Sequence, residues 1–324
     1  MDTGTHLVMG IGLFGLAHLD PSVASNPETA QAVLLGTVIG SEIPDIDTLY
    51  RFRGNALYIR KHRGFSHSLP MLILWPLLLT VGITLLIPQA SFAHCLIWSF
   101  AAVFIHIFID LFNTYGTQAL RPISNKWVSW NTLNIFDPFI FILHLIGFGL
   151  WWIMPDQPGA IFGALYLILA LYIGWRSAVH ARLTKMVKQE LNLPGRYTVT
   201  PTVRWNVWNV IFETKEKVKV GEIRKGRLYW TGEMKTDDLD HPAAVQSKKA
   251  DPIDAFLSFT SYGYPQVIKR PYGYEVRWLD VRYHYKKHFP FVAVALLDQH
   301  FNIFYSFVGW MSEEQLEKKV KHLS

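Results

Sequence analysis

Cysteine is nearly missing from this chain of 324 residues, where Cys95 stands alone. An intrachain disulfide and a cysteine-based zinc site are both excluded. Charge is scarce over the first 175 residues, which hold seven Lys/Arg and nine Asp/Glu. Residues 176–324 hold twenty-four and sixteen, so the two stretches are net −2 and net +8. An apolar, charge-poor half before a basic half reads as a membrane domain followed by a soluble domain. The sequence has no glycine-rich phosphate loop, no Gly-x-Ser-x-Gly elbow and no internal repeat. P-loop nucleotide binding, serine-hydrolase chemistry and solenoid folds therefore have no sequence support. Met1 to His6 lacks the basic n-region of a cleavable signal peptide, so the first apolar stretch is expected to stay in the mature protein.

What is there, before residue 180, is six apolar stretches. Two are short, at about 5–19 and 30–43, and four are longer, at about 69–88, 92–112, 135–153 and 159–177. A spanning helix needs about 20 apolar residues. The long four meet that length; the short two read as spans or as re-entrant, half-buried helices. Basic residues fix the orientation. Arg51, Arg53, Arg60, Lys61 and Arg63 sit in the 44–68 connection, and Arg121 and Lys126 in the 113–134 connection. The alternate connections carry none. Under the positive-inside rule the basic connections are cytoplasmic, and so are the N-terminus and everything after Arg176. Trp151, Trp152 and Trp175 suit interfacial belts.

Four signatures fall at the cytoplasmic ends of these stretches: His6, Pro44-Asp45-Ile46-Asp47, His62-Arg63-Gly64-Phe65-Ser66-His67 and His106-Ile107-Phe108-Ile109-Asp110. Ionisable groups at membrane depth are costly and usually functional. His106 and Asp110 are four apart and share a helix face, which Asn113 continues. Asp45 and Asp47 follow the break that Pro44 imposes. His62 and His67 are five apart, do not share a helix face, and flank a turn expected at Gly64. Ser66 or Ser68 is placed to cap the third helix, the first of the long ones. Imidazoles and carboxylates gathered at one membrane face suit a divalent metal. His18, His94 and His144, each alone, read as packing residues.

These residues, with Asn113 and Gly116, resemble the YdjM-like family of inner-membrane, metal-dependent hydrolases over about residues 1–150. The resemblance implies a multi-pass bacterial inner-membrane protein, a metal-dependent hydrolase activity and, for some members, a regulatory protein partner. A more distant likeness is to the zinc sites of phospholipase C and P1-type nucleases. Their later His-x-x-x-Asp/Glu pair has no counterpart here: Phe148 follows His144 and Thr184 follows His180. One or two ions, rather than three, is the expectation.

The expected fold is an all-α multi-pass membrane domain of about six helices over 1–180, then a small soluble α+β domain over 195–324. The expected ligands of a divalent metal, zinc by preference, are His6, Asp45, His62, His106 and Asp110. Asp47 or His67 is expected as supporting partner or general base, and Arg63 as the anion clamp. Phosphoester hydrolysis is favoured because the site lies at headgroup depth, where a phospholipid or isoprenoid phosphate presents its phosphate. The rival is a membrane-anchored regulator with a structural metal. A transporter fits less well, since mid-span positions are mostly apolar.

In the second half, Arg176, Arg182, Lys185 and Lys188 are expected along anionic headgroups. Strands are expected at about 203–207, 217–223, 227–232, 273–285, 290–298 and 301–309, with a loop over 234–252. Ser312 and Gln315 read as a capping box. Arg282, His284, Lys286, Lys287 and His288 form a basic cluster for which lipid contact is simpler than nucleic acid.

Overall fold

The computed structural model describes residues 1–284 and 288–323. In chain order its helices are α1 (Thr3–Ala17), α2 (Pro21–Ser25), α3 (Pro27–Gly40), α4 (Asn55–Lys61), α5 (Leu69–Leu86), α6 (Phe92–Asp110), α7 (Pro138–Ile153) and α8 (Pro158–Leu191). Strands β1 (Arg196–Pro201), β2 (Val207–Glu213), β3 (Lys217–Arg224) and β4 (Arg227–Lys235) follow. Next come α9 (Pro242–Ser247), α10 (Asp251–Phe259), β5 (Gly263–Arg270), β6 (Gly273–Asp280), β7 (Phe291–Asp298), β8 (Ile303–Trp310) and α11 (Glu313–Leu323). The chain forms two compact units: Met1–Asp47 with Arg63–His180, and Thr48–His62 with Ala181–Ser324.

The first unit is helical. Helices α5, α6 and α8, of 18, 19 and 34 residues, are long and apolar enough to cross a membrane; α1 and α7 are apolar but shorter. Local chemistry sets their starts. Asp2 accepts a hydrogen bond from Thr5 N at 3.1 Å and opens α1. Asp137 accepts from Phe139 N at 3.0 Å, so α7 begins at Pro138 and loses the first residues of the apolar stretch at 135–153. Glycines bring α3 close to α6. A Cβ on Gly36 would lie 2.3 Å from Ser99 Oγ, and one on Gly40 would lie 3.0 Å from Ala102 Cβ. Such small-residue contacts let helix backbones approach where lipid leaves no hydrophobic drive between helices. Met9, Ile109, Leu133, Ile140, Leu169 and Tyr172 form the main apolar cluster.

Helix α8 runs unbroken through the basic stretch. Arg182, Lys185 and Lys188 are exposed, but Arg176 is buried. Asp137 and Tyr172 provide its electrostatic counterparts, which corrects the headgroup placement expected for that residue.

The second unit holds two antiparallel four-stranded sheets, each in sequential strand order. Strand β7 is buried along nearly its whole length. Leu316 and Val320 of α11 pack with Val292, Val294, Leu296 and Phe307. The capping box forms: Ser312 N donates to Gln315 Oε1 at 2.9 Å and Gln315 N to Ser312 Oγ at 3.2 Å. Helix α4 belongs to this unit. Asn55 Nδ2 donates to Val308 O at 3.1 Å, and Arg60 pairs with Asp251 and Asp254, each at 2.6 Å.

Several expectations are corrected here. Residues 203–206 form a turn, because Thr202 Oγ1 donates to Val207 O at 2.8 Å and accepts from Arg204 N; the strand starts only at Val207. Strands β1 and β5 were not expected. The presumed loop at 234–252 contains α9 and the start of α10, each with proline in its first turn. The strand expected over 273–285 ends at Asp280. Arg282 is buried and paired with Asp280 at 2.7 Å, and His288 bonds Glu313 at 3.0 Å, so neither is a free surface cation. Lys286 and Lys287 lie outside the described residues.

Candidate metal centre

Three breaks in helical structure carry the site. Helix α6 presents His106 and Asp110 from one face, with His106 Nε2 3.8 Å from Asp110 Oδ2. Beyond α3, Pro44 opens a 3-10 helix, Ile43–Arg53, whose first turn supplies Asp45. A second 3-10 helix, Phe65–His67, supplies His67. His67 Nε2 is 3.5 Å from both Asp45 Oδ1 and Asp110 Oδ2, and His106 Nε2 is 3.8 Å from Asp45 Oδ1. One ligand atom from each of the four residues lies within 4.8 Å of the others. His67, His106 and Asp110 are fully buried.

Tautomers decide what this pocket presents. His106 Nδ1 is 2.6 Å from the carbonyl of Ser41. A carbonyl only accepts, so Nδ1 holds the proton and Nε2 offers its lone pair. His67 is set by a relay. Ser66 Oγ donates to Asp47 Oδ2 at 2.6 Å, and its oxygen then accepts from His67 Nδ1 at 3.0 Å. His67 Nε2 is therefore a lone pair as well. The two Nε2 atoms are 3.2 Å apart. Two lone pairs at that separation, beside two carboxylates, repel unless a cation lies among them. The donor set fits a divalent ion.

His67 was expected behind the ligands; the structure brings its Nε2 together with Asp45, His106 and Asp110, in the group that could hold an ion. Asp47 takes the supporting position, accepting from Arg63 N at 2.8 Å and from Ser66 Oγ. His6 stacks on His106, with ring centres 3.7 Å apart, and its Nε2 is 3.5 Å from Asp110 Oδ1. The backbone nitrogen of Met1 contacts Asp110 and lies 2.8 Å from His6 Nε2. His62 belongs to the other unit, where it ends α4 and stacks on Tyr58 at 4.7 Å.

Arg63 is buried, and its Nη2 reaches Asp110 Oδ2 at 3.1 Å and Met1 O at 3.0 Å. Its Nε and Nη1 have no hydrogen-bond partner among the described residues. The turn expected at Gly64 is made one residue earlier: Arg63 has φ of 55°, and Gln118 N holds its carbonyl at 2.9 Å. Neither serine caps α5 with its side chain; Ser68 occupies the cap position without such a bond.

Supporting groups missed in the sequence are the Ser41 carbonyl and Ser66, whose roles depend on long-range pairing. Asn113 donates to Asp110 Oδ1 at 2.8 Å, as its helical spacing suggested. His18 and His144 bond locally to Phe14 O and Ile140 O, His94 bonds the sequence-distant Asp20, and none joins the cluster.

Membrane-length apolar helices, a buried His/Asp cluster at their ends and a following two-sheet domain define a membrane protein with a candidate cation site. The chain belongs to the YdjM inner membrane protein family, whose model matches residues 1–183. Residues 242–320 match the YfhP C-terminal alpha/beta plait domain. The chain is 40% identical over 327 residues to "Uncharacterized protein YfhP" of Bacillus subtilis (strain 168), covering 99% of each chain. No solved structure gives a significant match.

Proposed function

We propose that the protein is a metal-dependent hydrolase of the bacterial cytoplasmic membrane, with both termini cytoplasmic, acting on a phosphoester such as a phospholipid or isoprenoid phosphate. The observation that carries this reading is the facing pair of Nε2 lone pairs on His67 and His106, beside Asp45 and Asp110. Zinc is the preferred ion for two imidazoles and two carboxylates. His6, 3.5 Å from Asp110, remains a proposed further ligand.

When bound, a divalent ion supplies Lewis acidity and an acidified water. The chain's own groups supply the rest. Asp45, His67, His106 and Asp110 would hold the ion. Ser66 and Asp47 keep the His67 ring in the tautomer that can ligate. Arg63 offers Nε–H and Nη1–H, both buried and unpaired, beside the cluster. Unpaired buried donors on a cation favour an anionic guest, and the guanidinium fork matches phosphate oxygens. This second observation favours an enzyme over a regulator with a structural ion, because a merely structural ion gives those donors no function.

Phosphate release from lipid phosphates by the purified full chain tests the proposal. Asp110→Ala and His106→Ala should each lose activity and metal together. Arg63→Lys should retain metal and lose activity, since a point charge does not replace the fork. Full activity in all three variants would defeat it. Metal retention without hydrolysis of any phosphoester would favour the regulator.

A further inference from the structure

We propose that one end of the first sheet, built from the β1–β2 and β3–β4 turns, is a docking surface for anionic lipid headgroups. The register pairs Pro201 with Trp208, Val207 with Arg224, and Arg224 with Arg227. Residues 202–206 and 225–226 therefore leave the sheet at the same end. The first turn carries Val203, Arg204 and Trp205; the second carries Arg224, Lys225 and Arg227.

Val203 is 51% and Trp205 45% exposed. The side chains of Arg204, Lys225 and Arg227 are exposed and form no ion pair among the described residues. Arg224 is balanced by Glu222 at 2.5 Å, so this end of the sheet is net positive. Lys225 and Gly226 both have positive φ, 51° and 74°, which makes a tight hairpin turn and holds the flanking arginines in place.

A valine and a tryptophan at the tip of a cationic turn match the two layers of a bilayer interface. Tryptophan rests at headgroup level, and basic side chains reach anionic phosphates. The exposed valine finds an apolar acyl boundary there, which a nucleic-acid backbone does not offer. The unit is tethered to an apolar helix: α8 is long and apolar enough to cross a membrane, continues through exposed Arg182, Lys185 and Lys188 to Leu191, and the first turn follows within a dozen residues of that end. Such a tether raises the local lipid concentration, so weak intrinsic affinity suffices.

Hydrogen exchange of the full chain tests this, in nanodiscs of phosphatidylcholine with and without phosphatidylglycerol. With the anionic lipid, amides of 202–206 and 224–228 should exchange about tenfold more slowly, and about 0.5 M salt should reverse the effect. Arg204→Glu with Lys225→Glu and Arg227→Glu should abolish the slowing while β7 stays protected. If β7 protection falls in that variant, the single change Arg204→Glu, which should weaken the slowing, takes its place. Lysine in place of both arginines should preserve it. Equal exchange in the two lipids, or undiminished slowing in the glutamate variants, would overturn the proposal. Slowing by an added oligonucleotide in neutral discs, without a response to phosphatidylglycerol, would also overturn it.

Discussion

At the residue scale, hydrogen bonds behind the ligands matter as much as the ligands. Asp47 accepts from Ser66, which in turn accepts from His67 Nδ1, and Asp47 Oδ2 itself lies 3.9 Å from that nitrogen; this path fixes which nitrogen of His67 faces the cluster. Asp47→Asn should therefore weaken metal binding, by about 10–100-fold in affinity, through its support of His67. Competition titration with a chelator measures this. Unchanged affinity would remove the relay from the mechanism. Pairing of His106 and Asp110 was legible from their spacing. The role of His67 was not, because sequence separation says nothing about which of two nearby histidines finds a serine and an aspartate behind it. Arg63 was expected as an anion clamp, a role that stays a proposal; that it makes the turn was not legible.

At the element scale, the glycines of α3 set the depth at which α3 meets α6. The carbonyl of Ser41, one residue beyond α3, holds His106. Gly36→Leu would drive a side chain into Ser99, whose Oγ is 2.3 Å from the position of a Cβ. Overpacking of this kind costs about 1–3 kcal/mol. The variant should unfold at a lower temperature in detergent and bind metal less tightly, since Ser41 moves with the helix. A loss of stability at full metal affinity would separate the helix contact from the site. The capping box of α11 was legible because its spacing is local. Strands β1 and β5 were not, because each contains a proline that breaks the alternation, and β5 ends on Lys269 and Arg270; tertiary pairing overrides that weak signal.

The second unit has its own pH response. Burial holds His284 below the ordinary histidine range. The unfolded chain then binds the proton more readily, so folding stability is full above about 6.5 and falls as the pH drops below it. Burial raises the Glu213 carboxyl, which acts in the opposite sense, but in the acid range just above its ordinary value. Thermal unfolding of this unit should show a midpoint that declines from pH 7 toward pH 5.5, and His284→Gln should flatten the slope. An unchanged slope in that variant would assign the dependence elsewhere.

At the scale of the whole molecule, charge asymmetry and the apolar helices make a topological statement. Both basic connections are proposed to face the cytoplasm. Cys95 is buried, so introduced cysteines report on a low background. Gln89→Cys, between α5 and α6, should react with an impermeant maleimide in intact cells. Ser124→Cys, in the second basic connection, should react only after lysis. The opposite pattern would invert the protein. The division into a charge-poor helical part and a basic part with strands was legible from composition. The inclusion of 48–62 in the second unit was not, because it depends on bonds from Asn55 and Arg60 to residues about two hundred positions away.

The most direct measurement is the metal content of the purified full chain, taken alongside His67→Ala and His106→Ala. Two imidazole lone pairs sharing one cation predict a bound divalent ion in the native chain and its loss from both variants. A native chain free of divalent metal under saturating conditions, or one that retains its ion after both substitutions, would contradict the site.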